Sequence, residues 1–150
     1  MRDIKPFDEA IINIKYLRDI PKLQVNSKGD WIDLYVPFDV VLSKEKFENI
    51  PLGFALSLPD GYEAHIVPRS STFMKYGIIQ VNGMGIIDNS YSGNNDEWHF
   101  PCITLNDIVC IPKHARICQF RIVKKQPYIY FHEVNDLIGN DRGGFGSTGI

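Results

Sequence analysis

Three stretches of this chain combine residue types that could act on a phosphorylated ligand. The first is Asn82-Gly-Met-Gly-Ile-Ile-Asp-Asn-Ser-Tyr91. Gly83 and Gly85 can take backbone angles closed to other residues and let a ligand come close to the main chain. Ile86 and Ile87 are expected to anchor the segment in a core, and a single carboxylate, Asp88, follows at once. Alone, this reads equally well as a β-hairpin with a polar turn residue. The second stretch, Pro68-Arg-Ser-Ser71, brings hydroxyls and a guanidinium to an expected helix start, as phosphate-holding elements do. A capped helix with a surface arginine fits it as well. The third, Gly144-Phe-Gly-Ser-Thr-Gly149, has the formal Gly-x-Gly-x-x-Gly spacing. A dinucleotide site needs a strand before such a run and a helix after it. The glycine-rich tail supplies neither, which leaves a glycine–hydroxyl loop beside Arg142 as a phosphate clamp.

Nothing in the chain matches a nucleophile elbow, a Walker lysine loop or His-Glu-x-x-His. Two phosphate-type elements, isolated carboxylates at Asp33 and Asp88, and no nucleophilic dyad point to metal-assisted attack by water.

Short strands must position these groups. Ile12 to Tyr16 and Asp30 to Val36 alternate apolar and polar, the latter placing Ile32, Leu34 and Val36 on one face and Asp33 on the other. Further strands are expected at Val40–Leu42, Leu52–Leu58, Tyr62–Val67, Ile78–Val81, Trp98–Leu105, Ile108–Ile111, Ala115–Val123 and Tyr128–Phe131. Many short strands with turn signals between them argue a sandwich, jelly roll or barrel. Ser70 to Gly77 has serines at its start and a glycine at its end, room for one short helix. Residues 1–134 read as a single β domain, and 135–150 as a flexible glycine-rich arm with too little apolar surface to fold alone.

Composition narrows the classes. Hydrophobic residues make up 44% and charged residues 23%, ordinary values for a globular protein. A net charge of −2 gives no basic footprint, so nucleic acid is not an expected partner. No apolar run is long enough for a membrane span, and the charged N-terminal residues lack a signal-peptide core. Cys102, Cys110 and Cys118 lie in strand-like runs as buried hydrophobes, and their spacing with the four histidines suggests no metal site. A reducing, cytoplasmic setting is expected.

Four blocks in order carry a resemblance. Pro68-Arg-Ser-Ser71, Gly85-Ile-Ile-Asp-Asn-Ser-Tyr-Ser-Gly93, Arg116-Ile-Cys-Gln119 and Arg142-Gly-Gly-Phe-Gly-Ser-Thr-Gly149, with Asp33-Leu34 as a weaker first motif, resemble the homotrimeric dUTPase family, in particular a branch found in bacteria and phages. The resemblance implies an all-β, jelly-roll-like β-clip subunit with one short helix, in a homotrimer whose active sites draw on three chains. It implies Mg²⁺-dependent hydrolysis of dUTP to dUMP and pyrophosphate, which keeps uracil out of DNA and supplies dUMP for dTMP synthesis. By position, Asp88 would orient and deprotonate the attacking water, and Tyr91 would pack under the sugar and exclude a 2′-hydroxyl. Asn82 and the backbone of Gly85 and Ile87 would read the uracil edge. Arg69, Ser70, Ser71 and Gln119 would hold the phosphate chain. Phe145 would cover the uracil while Arg142, Gly146, Ser147 and Thr148 grip the γ-phosphate, and Asp33 would sit in the outer shell of the metal, reached through water.

Two other readings share parts of this pattern. A dCTP deaminase of the same fold needs an acid/base after the central hairpin, and Glu97 is the nearby residue of that type; Asn94 to Glu97 otherwise reads as a solvated acidic turn. A non-catalytic trimeric β binding module is the third reading. Tyr91, the complete tail motif and the set Asp88, Arg69, Gln119 and Arg142 favour the hydrolase.

Overall fold

The computed structural model describes residues 9–146 and 149. Its strands, in chain order, are β1 (Asn13–Tyr16), β2 (Ile32–Tyr35), β3 (Val40–Ser43), β4 (Glu48–Pro51), β5 (Phe54–Ser57), β6 (Tyr62–Pro68), β7 (Ile78–Gln80), β8 (Gly85–Ile87), β9 (His99–Thr104), β10 (Ile108–Ile111) and β11 (Arg116–Lys124). The helix α1 (Thr72–Tyr76) lies between β6 and β7.

All ladders between these strands are antiparallel: β2-β11-β6-β8 and β4-β9-β7 form the larger sheets, and β1-β5 and β10-β3 form two-stranded ones. The alternation of apolar side chains builds one core between them, clearest in β9, where Phe100, Cys102 and Thr104 turn inward and His99, Pro101 and Ile103 do not. Trp98, fully buried, is central, its ring 5.2 Å from Phe54 and 5.1 Å from Phe120. The expected all-β class with one short helix is what the chain adopts.

Several local expectations change. Glu48–Pro51 is a strand although Ile50 is its only core residue; pairing with β9 and burial of Ile50 outweigh a weak strand sequence. Tyr128–Phe131 is not a strand: beyond Lys124 the described chain has no regular structure and finds no neighbour to pair with, leaving Tyr128 and Phe131 almost fully exposed. Ser71 occupies the helix N-cap position, but its hydroxyl makes no capping bond; the N–H of Arg69 and the hydroxyl of Thr72 both donate to the Ile117 carbonyl and dock the helix start on β11 instead. Cys102 and Cys118 are buried, and burial pushes the Cys102 thiol up to about 12, whereas Cys110 is exposed on the β3–β10 pair.

Candidate active site

β6 is the axis on which the site residues are arranged. At its C-terminal end the chain turns through Arg69 into α1. Arg69 Nε lies 2.9 Å from Asp33 Oδ1, and Arg116 NH1 lies 3.1 Å from Asp33 Oδ2. The strand register explains the meeting: Gln119 on β11 stands opposite Asp33 on β2 and opposite Val67 on β6. The Gln119 amide donates to the Pro68 carbonyl at 3.4 Å. Ser70 is exposed beside this group and Ser71 half-buried. The result is a cationic pocket wall with hydroxyls and an amide at hand, suited to a polyanion. Arg116, quoted in a motif but given no role from sequence, belongs to it. Its signal was positional, since it pairs with Tyr35 at the end of the same ladder.

Along the middle of β6, β8 pairs through Ile66–Gly85, His65–Ile86 and Ala64–Ile87, so that the chain leaves β8 toward the N-terminal end of β6. Gly83 takes φ +71° in the turn before β8, but Gly85 has a different reason to be glycine. A Cβ there would stand 3.1 Å from Ile66 Cβ and 3.3 Å from the Gln80 side-chain amide nitrogen, so the two strands would have to part by a few tenths of an ångström. The expectation that Ile86 and Ile87 both anchor the segment is corrected. Ile87 is half-buried, while Ile86 is 59% exposed, because successive strand residues face opposite sides. β8 is also the edge of its sheet, so its outer side presents backbone N–H and C=O groups that no strand takes up. Asn82 is exposed in the turn ahead of it.

Beyond β8 the chain folds into a tight loop. Asp88 is exposed, and its Oδ1 accepts the Ser90 N–H at 2.8 Å. That backbone bond, with the Ser90 hydroxyl and the nearby Lys125 charge, holds the Asp88 carboxyl below its usual range and so ionised at neutral pH. Asn89 turns inward and donates to the carbonyls of Leu58 (2.8 Å) and Pro59 (3.2 Å), tying the loop to the turn before β6. Tyr91 donates its backbone N–H to Asp88 O at 3.0 Å and its hydroxyl to Glu97 O at 3.0 Å. Burial, with Asp96 and Glu97 nearby, raises the Tyr91 phenol, which stays a donor. Asp88 borders an open groove of about 890 Å³ with Gly61, Glu63, Lys125 and the start of the tail.

Glu97 is not the solvated turn residue expected of it. Its side chain is only 12% exposed, and it accepts Arg18 Nε at 2.7 Å, Arg18 NH2 at 3.0 Å and the Gly53 N–H at 2.9 Å. Burial raises its carboxyl, but the Arg18 bond and charge with the Gly53 amide outweigh that and leave it below the ordinary value. A carboxylate so fully engaged is not an acid/base awaiting a cytosine amino group, which removes the physical basis of the deaminase reading.

The residues expected to share one site therefore fall into two groups within a single chain. Asp33, Arg69, Gln119 and the two serines gather at the C-terminal end of β6; Asp88, with the loop to Tyr91, lies toward its N-terminal end, and Ile87, Gly85 and Asn82 run back from Asp88 along the far edge of the sheet. Of the tail residues, Phe145 is fully exposed and Gly146 turns with φ +86°, while Arg142 lies in the exposed stretch before them. Ser147 and Thr148 lie outside the described residues. No cluster of three or more histidine, cysteine or acidic side chains that could hold a metal occurs among the described residues. No helix among them is long and apolar enough to cross a membrane.

An ionised aspartate held beside an open strand edge, with arginines set apart that could take a polyanion, fits a β protein that acts on a phosphorylated ligand. Comparison with known proteins makes the class specific. The sequence model of the dUTPase family matches residues 20–149. An SPbeta prophage-derived deoxyuridine 5′-triphosphate nucleotidohydrolase of Bacillus subtilis (strain 168) is 54% identical over 140 residues, covering 92% of this chain and 97% of that protein. Among solved structures, a dUTPase of Staphylococcus bacteriophage 80alpha, described with dUpNHpp, superposes with a TM-score of 0.77 at 19% identity over 93% of this chain and 99% of its own. A dUTPase of phage phi11 of S. aureus, described with a structural Mg(II) ion, gives 0.74 at 16% identity over 86% and 99%. The chain belongs to the dUTPase family.

Proposed function

We propose that this chain hydrolyses dUTP to dUMP and pyrophosphate, by attack of water on the α-phosphorus, in a homotrimer whose sites each combine groups from different chains. The observation that carries the reading is the separation just described, with Asp88 and the arginine cluster at opposite ends of one strand. Each half has the chemistry that the other lacks, and a second copy of the chain can supply it. In this reading Asp88, held ionised by Ser90, accepts a hydrogen bond from the attacking water and orients it. The open edge of β8, through Gly85 and Ile87, and Asn82 take the uracil edge. Tyr91 packs under the deoxyribose. Arg69, Ser70, Ser71 and Gln119 take the phosphates, and Phe145 closes over the base as the arm, with Arg142, Gly146, Ser147 and Thr148, reaches the γ-phosphate.

The donor set fits a Mg²⁺ that arrives with the triphosphate. Magnesium is commonly bound by one or two carboxylates with substrate phosphates, not by an all-protein cage. Asp33 already faces two guanidinium groups, which suits an outer-sphere place reached through water and not direct ligation. When bound, the ion would neutralise phosphate charge. The protein's own part is to bind, orient and hold the water. A cytoplasmic setting accords with the three free cysteines and with a nucleotide substrate.

The test is a substrate panel. With Mg²⁺, pyrophosphate release from dUTP is expected to be far faster than from dTTP or UTP, with no ammonia from dCTP. Equal rates on dUTP, dTTP and UTP would overturn the proposal, and ammonia from dCTP would restore the deaminase.

A further inference from the structure

The loop that carries Asp88 and Tyr91 ends on a contact made 79 residues back along the chain, the ion pair of Arg18 with Glu97. Both ends of that pair are held. The Arg18 guanidinium lies over the Phe38 ring, 5.8 Å from its centroid, and the Arg18 backbone N–H donates to Gly53 O at 3.1 Å. Gly53 returns the tie through its own N–H, which reaches Glu97 Oε2 at 2.9 Å. The hub requires glycine: φ is +85°, and a Cβ would stand 3.0 Å from Ile20 Cγ2 and 3.3 Å from Arg18 Cβ. Glu97 is thus fixed by three hydrogen bonds to its carboxylate.

What Glu97 then fixes is Tyr91. The Glu97 backbone carbonyl accepts the Tyr91 hydroxyl at 3.0 Å, and the same oxygen lies 2.8 Å from His99 Nδ1, which must carry its proton to donate there. At its other end, among the described residues, Tyr91 is held by its amide bond to Asp88 O, and the residue is 39% exposed. The position of the phenol therefore depends on where Glu97 stands. A ring that rejects a 2′-hydroxyl by crowding does so only if it does not yield, and a displacement of about 1 Å is enough to lose such an effect.

We propose that Arg18 and Glu97 are positioning residues for Tyr91 and that, without touching substrate, they set the preference for deoxyribose over ribose. The inference rests on Tyr91 as the ring that faces the sugar. A pair that merely stabilised the fold would affect all substrates alike. A positioning pair changes one discrimination and spares another, since the uracil edge is read from β8, which is held separately on β6.

The experiment compares kcat/KM for dUTP, UTP and dTTP in Arg18→Gln, Arg18→Lys, Glu97→Gln and Tyr91→Ala, with thermal melting to establish folding. In Arg18→Gln the dUTP/UTP ratio is expected to fall at least about tenfold, the low end of what one group is worth in a fitted pocket, with the dUTP/dTTP ratio unchanged. Arg18→Lys, which keeps the charge but not the two-pronged contact, recovers part of the loss. Arg18→Gln with Glu97→Gln is no worse than the worse single change, because both break one contact. An unchanged dUTP/UTP ratio in folded Arg18→Gln overturns the proposal, as does an equal fall in both ratios. If Arg18→Gln does not fold, the same ratios in Arg18→Lys and Glu97→Gln decide. Tyr91→Ala separates the premise from the inference. If it loses dUTP/UTP discrimination while the Arg18 and Glu97 variants keep it, only the positioning role fails; if it keeps discrimination, the sugar-facing role of Tyr91 fails and takes the inference with it.

Discussion

Mixing two inactive variants tests whether Asp88 and Arg69 of one site come from different chains. Asp88 follows Ile87, which pairs with Ala64, so it stands beside Glu63 at one end of β6, and Arg69 follows Pro68 at the other end. From Glu63 to Arg69 is six steps along the strand at about 3.3 Å each, roughly 20 Å. The groups also diverge sideways. Asp88 extends from β8 and Arg69 turns toward Asp33 on β2, and these strands are the opposite edges of a four-stranded sheet, about 14 Å apart at about 4.8 Å per spacing. A carboxylate must hold its water about 3–3.5 Å from the reacting phosphorus, so the proposed reading requires that the arginine gripping that phosphate chain come from another chain. Let Asp88→Asn and Arg69→Gln be unfolded together at equal amounts and refolded. Each alone is expected to be nearly inactive. In randomly assembled trimers a site is intact when its Asp88 comes from the arginine variant and its Arg69 from the aspartate variant, so about a quarter of wild-type pyrophosphate release should return. If both groups came from one chain, every site would carry a defect and nothing would return. A control reverses the sign: wild type mixed equally with the Asp88→Asn, Arg69→Gln double variant should keep about a quarter of its sites if they are shared, but about half if they are not. No recovery in the first mixture, with half the activity kept in the second, would refute the two-chain site.

Asp88→Asn alone should still bind a non-hydrolysable dUTP analogue, measured by calorimetry, while turnover falls by about 10²–10⁴-fold, the usual range for general-base help; retained turnover would refute the role of Asp88. Removing residues from Arg142 onward should abolish hydrolysis and leave the β domain's melting temperature nearly unchanged, because the described arm is exposed along residues 135–146; surviving activity would remove the arm from the site. Gly53→Ala should cost about 1–3 kcal/mol in urea unfolding, since it forces a side chain into a left-handed backbone and against Ile20; a neutral effect would show that the hub relaxes. The Glu97 carboxyl is lowered in the folded protein, so its contribution to stability is present above its unfolded value of about 4.3 and is lost as pH falls through the lower folded value. Acid melting curves of Glu97→Gln should accordingly show a shallower fall below about pH 4.3 than wild type, and parallel curves would mean that the ion pair does not titrate with folding.

The sequence was most legible where one residue's neighbours decide its state. Alternation located β9 and β11 despite Pro101 in the first, and glycine located the end of α1. It was least legible where partners lie far apart. Glu97 looks solvated among Asn94 and Asp96 until Arg18 and Gly53 are folded against it. Arg116 and Arg69 share Asp33 only because β11 lies between β2 and β6. Tyr128 to Phe131 has the composition of a strand, but a strand is completed by a neighbour, and the described residues offer none there. The division of the site into two halves was likewise invisible in the order of the motifs, since chain order carries no information about which end of β6 each motif reaches.

That division bears on how the reaction is driven. The bonds from Ser90 that lower the Asp88 carboxyl also make it a poorer base, although a base is what deprotonation of water calls for. The arrangement is intelligible if constancy of position matters more than basicity. Asn89 ties the loop to Leu58 and Pro59, the Ser90 amide fixes one carboxylate oxygen, and Glu97 closes the far end. In the proposed reading, Asp88 keeps one well-placed oxygen to aim a water. The larger share of the barrier must then be lowered by charge placed on the phosphates, as is usual for phosphoryl chemistry. In the proposed reading Arg69 and Arg116 supply that charge, each oriented by the Asp33 carboxylate, which takes part of its charge but keeps it from turning away. Asp33→Asn should therefore weaken turnover and phosphate binding together, by freeing both arginines, whereas Asp88→Asn should spare binding. If Asp33→Asn instead left nucleotide affinity unchanged and shifted only the Mg²⁺ dependence, its part would lie with the metal and not with the arginines.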